Sequence, residues 1–427
     1  VVRLVMALAT IYDWELHHWD LTAAFLQSDL SEDDPDIYLL PPRGVKIPRG
    51  PDGRPMRLKL TRPLYGLKQS SLRLWQKLHG WFDERGFVSC LSDTCLMIKR
   101  VPGGFVMVLT WIDDILVVSN KLKFVNELER EFFDTDAGGF KGTSEGPANH
   151  YVGIGIQRDR EKRVMELTQR NLCDKVFEAA HIDTEHPPKD KGLGAKGYKL
   201  PTRREQCDEE DRFQPRYEYR RVLGILLYVA RVTRPDLMMV CCYLARHAAD
   251  PGREHYRLLD RAVWYLYNTR ELALTYSAEN DTGLYLKVDA AFQDCPDSQK
   301  STSGVLLMLA GAAIEWIAKR QSVVATSTMH SEVIALDSGM KVLVYALKIV
   351  GFIGLYCPNP IDVYEDNQSA IAFLCSPDFS LKGRVKHLRL KMAWVKETIM
   401  DGLVRLVYTK SEDNTADAMT KLLDRTT

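Results

Sequence analysis

The spacing of apolar residues in the first third of the chain predicts a domain that mixes helices and strands. Apolar residues recur at helical spacing over 72–87 and 121–133, which predicts two amphipathic helices. Residues 16–26 are predicted to begin as a strand and to continue into a helix, and the glycine-rich, polar segment 134–149 to form a loop. The expected class here is α+β.

Further along the chain, the pattern predicts a helical segment and then a second mixed region. Residues 186–214 are polar and contain several prolines and glycines, which indicates a linker. The predicted helices are 217–230, 235–248, 254–269, 331–350, 367–374 and 386–401, and the predicted strands are 284–289, 303–310, 312–316 and 361–364. From residue 284 onward, these elements have a βββαβα-type order.

A strongly apolar, β-branched run over 106–119 is interrupted at its middle by Asp113 and Asp114. The flanking runs predict two buried strands. Two adjacent carboxylates between such strands repel each other and must reach solvent or a cation. This segment alone leaves two interpretations open: a polar hairpin turn, in which aspartate is common, or a divalent-metal site at a hairpin tip.

Composition narrows the class of protein without deciding its function. A chain of 427 residues exceeds what one hydrophobic core supports, so two or three domains are expected. The formal net charge of zero gives no global electrostatic argument for nucleic-acid binding. No apolar run reaches the roughly 20 residues that a membrane span needs. The nine cysteines lack paired CxxC spacing, which favours reduced thiols and a cytosolic or nuclear location.

Asp20 is a further acidic residue that could bind a metal ion. A predicted strand leads into it and a helix start rich in small residues follows, so Asp20 taken alone is best interpreted as a helix N-cap. An aspartate at a strand end and two at a hairpin tip can also meet at one edge of a sheet and bind Mg²⁺. Two such ions would support attack of a primer 3′-hydroxyl on a triphosphate.

Several short motifs together resemble one known family. They are Asp20-Leu-Thr-Ala-Ala-Phe25-Leu26, Pro63-Leu-Tyr-Gly-Leu-Lys-Gln69 with Trp75, Trp111-Ile-Asp-Asp114, Thr233-Arg-Pro-Asp236, Lys300-Ser-Thr-Ser-Gly304, Glu365-Asp-Asn-Gln368 and Ala416-Asp-Ala-Met-Thr-Lys421. In this order, they resemble the reverse transcriptase and ribonuclease H portion of Pol polyproteins from copia-type (Ty1/copia) retrotransposons. The resemblance runs nearly end to end.

The resemblance implies a polymerase palm whose catalytic, metal-binding carboxylates are Asp20, Asp113 and Asp114. It also implies a substrate-binding set that consists of Phe25, Gly66, Lys68, Gln69 and Trp111. Phe25 stands where this class has a steric gate against a ribose 2′-hydroxyl, and core packing is an equally good interpretation. Lys68 stands where it could contact a phosphate, with a solvated loop lysine as the alternative.

The last third of the chain resembles ribonuclease H. Asp289, Glu332, Asp366 and Asp417 follow the D-E-D-D order of that family, at strand ends and helix starts. The resemblance implies that these four residues bind two Mg²⁺ ions and act on an RNA phosphodiester, and Mn²⁺ is an open alternative to Mg²⁺. His387 is a weaker candidate for assisting product release, and a capping or surface histidine is the favoured interpretation.

The sequence also departs from the family. Trp111 replaces the tyrosine that is usual at the hairpin, and His330 replaces the first glutamate of the family's Glu-Ala-Glu-Tyr motif. The chain begins with Val1, so we expect a piece of a longer polypeptide in which the fingers are truncated. His17 and His18 lack metal partners at suitable sequence spacing and are expected to be structural.

The resulting hypothesis is a copia-type Pol segment that performs Mg²⁺-dependent phosphoryl transfer. We expect a palm-type α+β domain over 1–180, a linker and helical thumb or connection over 181–280, and an α/β ribonuclease H-like domain with a mixed five-stranded sheet over 281–427. Expected partners are RNA template, DNA primer, RNA–DNA hybrid and deoxynucleoside triphosphates, in a cytoplasmic virus-like particle or the nucleus, with no membrane. The alternative is a decayed or domesticated fragment that binds nucleic acid without catalysis.

Overall fold

The computed structural model describes residues 1–188, 192–194, 200–203, 213–280, 283–376 and 386–422, so most of the predicted linker lies outside it. The chain divides into two compact units, Trp14–Val152 and a unit that combines Val1–Asp13 with Gly153–Thr427. The functional division predicted at residues 181 and 281 stays a prediction. None of the helices in the described ranges combines the length and the apolar content that crossing a bilayer requires.

The unit Trp14–Val152 is built on a six-stranded antiparallel sheet. The unit has nine strands in all, six of which form this sheet. They are β1 Glu15–Leu21, β2 Tyr38–Leu39, β3 Leu58–Lys59, β4 Val88–Cys90, β5 Asp93–Val101, β6 Gly104–Trp111, β7 Asp114–Ser119, β8 Gly142–Pro147 and β9 His150–Tyr151. The strand order in the sheet is β4-β5-β6-β7-β1-β8. The helices Ser70–Glu84 and Leu122–Phe132 agree with the two helices predicted from apolar spacing, apart from small shifts at their ends.

The core of this unit lies where the helices cover the sheet. Trp19 and Val117 from the sheet pack with Leu78, Phe82 and Phe132 from the helices, and all five side chains are buried. Each such side chain contributes roughly 1.5–3 kcal/mol when it leaves water. This apolar face explains why the helical spacing in the sequence was easy to detect.

The loop predicted over 134–149 was wrong, because β8 lies within it and pairs antiparallel with β1. As an edge strand, β8 alternates between half-buried and exposed positions and carries no apolar pattern that would reveal a strand. A Cβ atom at Gly142 would lie 2.3 Å from the backbone oxygen of Asp20. The glycine that suggested a loop therefore permits close strand pairing.

The second unit contains two sheets and most of the helices. Its strands are β10 Ile154–Asp159, β11 Val164–Thr168, β12 Leu274–Ser277, β13 Tyr285–Ala291, β14 Thr302–Leu309, β15 Ala312–Arg320, β16 Ile361–Glu365 and β17 Val404–Tyr408. Its helices are Val2–Tyr12, Arg170–Ala180, Tyr219–Val232, Met238–Ala245, Arg253–Asn268, Thr328–Ile353, Gln368–Cys375 and Lys386–Met400. The strands β10, β11 and β12 form an antiparallel ladder.

The other sheet is mixed and has the order β15-β14-β13-β16-β17. Strands β13, β14 and β15 are antiparallel, whereas β16 runs parallel to both β13 and β17. The long helix Thr328–Ile353 packs against this sheet, and a Cβ atom at Gly339 would lie 2.9 Å from a methyl carbon of Leu286. Because β13 and β16 are parallel neighbours, side chains at their carboxyl ends meet at one edge of the sheet.

Candidate active sites

The first candidate site lies at the tip of the β6–β7 hairpin. Asp20 on β1 is directly opposite Asp114 on β7, and Asp113 lies in the turn that follows Trp111. The backbone N–H of Leu21 donates to the carbonyl oxygen of Asp113 over 3.0 Å. The three predicted carboxylates thus come from β1 and from the tip of the neighbouring β6–β7 hairpin. The N-cap interpretation of Asp20 was wrong, because Asp20 lies within β1.

These three aspartates form an electrostatic cluster. Partial burial raises the pKa of Asp20 above its ordinary value, and the charges of Asp113 and Asp114 raise it further. The described residues include several groups of three ligand atoms within 4.8 Å of one another, but these three aspartates are not such a group. Their combined negative charge and oxygen ligands would still attract a hard cation.

Two aromatic residues lie beside this cluster, and one is buried in the core whereas the other is exposed. Phe25 is 5% exposed and belongs to the hydrophobic core of the unit, as its packing interpretation requires. Tyr65 is 67% exposed, contacts the Phe25 ring edge-on and donates its hydroxyl to Asp113 Oδ2 over 3.3 Å. Tyr65 was not among the predicted site residues, although it lies inside the Pro63–Gln69 motif that carried the family resemblance.

The remaining predicted substrate-binding residues occupy loop and turn positions. Gly66 has a φ of 94°, a conformation that favours glycine. Lys68 is exposed, and Gln69 precedes the helix Ser70–Glu84. Trp111 is 57% exposed at the hairpin tip and lines a cavity of about 310 Å³ against that helix. The tip therefore presents an apolar surface beside the acidic cluster.

His18 is a neighbour of the cluster that sequence spacing did not reveal. Its side chain is 2% exposed, and Nε2 lies 2.8 Å from Asp114 Oδ1. Strand alternation places His18 on the same face of β1 as Asp20. The structural role expected for His18 stays a prediction, and the structure adds that His18 contacts a candidate metal-binding carboxylate directly.

The second candidate site lies at the edge of the mixed sheet, where the structure gathers the four predicted D-E-D-D residues. One carboxylate oxygen each from Asp289, Asp366 and Asp417 lie within 4.8 Å of one another. A second group consists of Glu332, Glu365 and Asp366, which also place one carboxylate oxygen each within 4.8 Å of one another. Asp366 belongs to both groups, so five carboxylates form two adjoining ligand sets. Glu365 was missed because neighbours along a strand normally face opposite sides.

Burial governs the charge of this second cluster. It raises the pKa of Asp289 to about 6, despite the opposing effects of Lys421 and of a hydrogen bond from Thr420. Burial, with repulsion from neighbouring carboxylates, raises the pKa of Glu332 to about 10 and that of Glu365 to about 8. Within the described part of the chain, Oε2 of each glutamate is buried without a hydrogen-bond partner. Such an all-oxygen set with unpaired buried oxygens fits Mg²⁺ or Mn²⁺.

The final turn Thr415–Met419 and the residues after it hold this cluster in position. Thr420 donates its hydroxyl to Asp289, and Lys421 Nζ lies 3.0 Å from Asp417 Oδ1. Although burial opposes it, the nearby Asp289 and Asp417 raise the pKa of the Lys421 ammonium. Lys421 was missed, although its i,i+4 spacing from Asp417 was a usable signal. The side chain of His387 lies outside the described residues.

The resemblance to ribonuclease H implies cleavage of RNA–DNA hybrid by this site, and we expect Gly304→Ala to lower it roughly ten- to a hundredfold, because small misplacements of reacting groups are costly. Gly304 is opposite Asp289 on β14. A Cβ atom there would lie 2.8 Å from the backbone oxygen of Ala416 and 2.8 Å from Met419 Cβ, so the turn that carries Asp417 must move. Cleavage of a labelled RNA–DNA hybrid measures the effect.

The matched control is Gly224→Ala, in the helix Tyr219–Val232, where an added Cβ atom meets nothing within 4 Å. The control should cleave hybrid at the wild-type rate. Wild-type cleavage by Gly304→Ala would contradict the close packing of the Asp417 turn against β14.

The chain is similar in sequence to known proteins of one kind. The family described as reverse transcriptase (RNA-dependent DNA polymerase) matches residues 1–189. The Pol polyprotein from transposon TNT 1-94 of Nicotiana tabacum is 28% identical over 99% of this chain and 31% of its own length. The corresponding protein from transposon RE1 of Arabidopsis thaliana is 26% identical over 100% of this chain and 28% of its own length. The transposon Ty1-NL2 Gag-Pol polyprotein of Saccharomyces cerevisiae is 22% identical over 98% of this chain and 23% of its own length. The chain thus spans less than a third of these relatives.

Two solved structures give weak similarity. The foamy viral protease-reverse transcriptase in complex with RNA/DNA hybrid has a TM-score of 0.49 at 13% identity, over 93% of this chain and 44% of that one. The ribonuclease LC11-RNase H1, isolated from compost, has a TM-score of 0.26 at 15% identity, over 33% of this chain and 93% of that one.

Proposed function

We propose that the chain is part of a copia-type retrotransposon Pol polyprotein, which its similarity to such proteins supports, and that it is a phosphoryl-transfer enzyme with two active sites. The proposed activities are DNA synthesis on an RNA or DNA template and hydrolysis of RNA in an RNA–DNA hybrid. The observation that carries the proposal is the pair of adjoining carboxylate sets that share Asp366. Such sets suit two divalent ions that act together on one phosphodiester.

At the proposed ribonuclease site, the chain's own residues supply ligands, orientation and balancing charge. Asp289 and Asp417 with Asp366 would hold one ion, and Glu332 and Glu365 with Asp366 the other. When bound, the two ions would activate a water and neutralise charge on the scissile phosphate. Thr420 orients Asp289, and the Lys421 ammonium keeps one positive charge beside Asp417.

At the proposed polymerase site, Asp20, Asp113 and Asp114 would hold the catalytic ions that assist attack of the primer 3′-hydroxyl. Tyr65 orients the Asp113 side chain through its hydroxyl. The exposed ring of Trp111 lies at the hairpin tip, where it would contact primer or template.

Three loop residues and the buried Phe25 complete the proposed substrate site. Gly66, Lys68 and Gln69 would shape the nucleotide pocket, with the exposed Lys68 ammonium directed to a phosphate. A gate role for Phe25 would act through the edge-on contact with Tyr65, because Phe25 itself is buried. Proposed partners are RNA template, DNA primer, hybrid and deoxynucleoside triphosphates, in a virus-like particle or the nucleus.

The proposal is tested with the purified full chain in two assays, primer extension on RNA and DNA templates and cleavage of a labelled hybrid. Both activities should require Mg²⁺, disappear with EDTA and return when Mg²⁺ or Mn²⁺ is restored. Hybrid binding without metal-dependent turnover would overturn the catalytic proposal and favour a decayed fragment that only binds nucleic acid.

We expect the metal-free chain to lose stability as the pH rises from about 5 to about 9. Burial raises the pKa of Glu332 to about 10 and that of Glu365 to about 8, so both are protonated in the folded state at neutral pH. In the unfolded chain they ionise near their ordinary value of about 4.3, so the folded state binds more protons and the free energy of unfolding falls with rising pH.

Urea denaturation in EDTA across this pH range measures the loss. Glu332→Gln, which removes one titrating group, should reduce the pH dependence, and Mg²⁺ should restore stability to the wild-type chain at high pH. An unfolding midpoint that rises with pH, or an unchanged slope in Glu332→Gln, would contradict the protonation states assigned to the cluster.

A further inference from the structure

A third group of metal-ligating side chains lies in the unit Trp14–Val152, and it contains two histidines. One ligand atom each from His18, Glu145 and His150 lie within 4.8 Å of one another. The His18 side chain is 2% exposed, whereas those of Glu145 and His150 are 40% and 49% exposed. The group therefore joins a buried imidazole to two side chains at the surface.

The sheet explains why these residues meet. The pairing of β1 with β8 is irregular between His17 and Trp19, and Trp19 is paired with Ser144, the residue before Glu145. An irregularity of this kind changes the direction of side chains locally. Strand β9, which begins at His150, follows β8 after two residues. Three short backbone segments thus bring the side chains together.

Hydrogen bonding occupies one ring nitrogen of each histidine and leaves the other for a ligand role. His18 Nε2 lies 2.8 Å from Asp114 Oδ1, and since a carboxylate accepts, Nε2 carries the proton. His18 Nδ1 is the other ring nitrogen, and it is buried without a hydrogen-bond partner in the described part of the chain. His150 Nδ1 donates to Asn149 Oδ1 over 2.5 Å, and the other ring nitrogen, Nε2, faces Glu145. Metal-binding histidines typically donate their other N–H to an oxygen in this way.

We propose that His18, Glu145 and His150 form a binding site for a zinc-class divalent ion (Zn²⁺, Co²⁺ or Ni²⁺). Two imidazole nitrogens and one carboxylate suit these metals, whereas Mg²⁺ prefers oxygen ligands. His150 Nε2 lies 3.7 Å from Glu145 Oε2. Ligands about 2.0–2.1 Å from a tetrahedral ion are about 3.4 Å apart, so small movements of two exposed side chains complete the site.

The proposed site adjoins the polymerase carboxylates without sharing a ligand with them. An ion on His18 Nδ1 is compatible with the hydrogen bond between His18 Nε2 and Asp114. The His18 imidazole would thus link the ion to a carboxylate of the proposed polymerase site. Metal binding itself does not depend on the polymerase proposal, so the two can fail separately.

The test is titration of the metal-free full chain with Co²⁺ in excess Mg²⁺, followed by the visible absorption of the bound ion. The wild-type chain should bind one Co²⁺ through nitrogen ligands. His150→Ala and Glu145→Gln should each weaken binding by at least about tenfold, as expected for lost metal contacts. His181→Ala removes an exposed histidine outside the group and should bind like wild type.

Because the Glu145 and His150 side chains are exposed, we expect each variant to fold like the wild-type chain. Urea denaturation of each variant verifies this. Failure of the wild-type chain to bind Co²⁺ would overturn the proposal and leave the Glu145–His150 contact as an ordinary ion pair. Wild-type affinity in either His150→Ala or Glu145→Gln, or an equal loss in His181→Ala, would overturn the three-ligand site as well.

Discussion

Replacing Asp366 with Asn is expected to lower Mg²⁺-dependent cleavage of an RNA–DNA hybrid on the order of a thousandfold. Asp366 is the one carboxylate that belongs to both ligand sets at the edge of the mixed sheet, so its loss weakens both proposed ion positions. A metal ion stabilises a phosphoryl transition state by several kcal/mol, and about 4 kcal/mol corresponds to a factor of about a thousand. Asn preserves the size of the side chain and still accepts a hydrogen bond from Ser411.

The matched control for this variant is Asp362→Asn. Asp362 lies four residues earlier, on β16, and forms an ion pair with Arg405 outside the cluster. The Asp362→Asn variant loses the same charge as Asp366→Asn and should cleave hybrid at close to the wild-type rate. Primer extension should be unaffected in both variants. Undiminished hybrid cleavage by Asp366→Asn would show that the two carboxylate sets are not the reaction centre.

The elements that the sequence predicted well are those with a strong one-dimensional pattern. The β6–β7 hairpin was visible because apolar strands flank two aspartates, and the helix Ser70–Glu84 because its buried face repeats at helical spacing. β8 and β17 were not predicted. The sequence of β8 is too polar to suggest a strand, and the short β17 acquires its identity from parallel pairing with β16. Both are edge strands, and they are recognised as strands through their pairing in the folded sheet and not through a pattern in their own sequence.

The same distinction applies to the candidate sites. Asp289 and Asp366 could be found because Asp289 lies near the end of β13 and Asp366 just beyond β16, where parallel neighbours converge, although β13 continues two residues past the predicted end at Asp289. The contact of His18 with Asp114 spans 96 residues and depends on the register of β1 against β7. Strand register is set by tertiary packing, so no local spacing reports it. Tyr65 was missed for a similar reason, because its hydroxyl meets Asp113 only after the loop is folded.

The palm carboxylates allow a second separation of activities. Replacing Asp113 with Asn is expected to lower primer extension on the order of a thousandfold, because an ion position worth about 4 kcal/mol is weakened. Hybrid cleavage should stay at the wild-type rate. Asp113 lies in the hairpin turn, held by the backbone N–H of Leu21 and by the Tyr65 hydroxyl. Asn retains an oxygen that accepts from Tyr65, so the substitution removes charge and little else.

The control for Asp113→Asn is Asp136→Asn, which removes the same charge from an exposed position in the same compact unit. The control should extend primers like wild type. Mn²⁺ binding, followed by electron paramagnetic resonance, should weaken in Asp113→Asn and not in the control, which ties any loss of extension to metal binding. Full primer extension and full Mn²⁺ affinity in Asp113→Asn would remove the hairpin from the catalytic site and return Asp113 and Asp114 to the role of a polar turn.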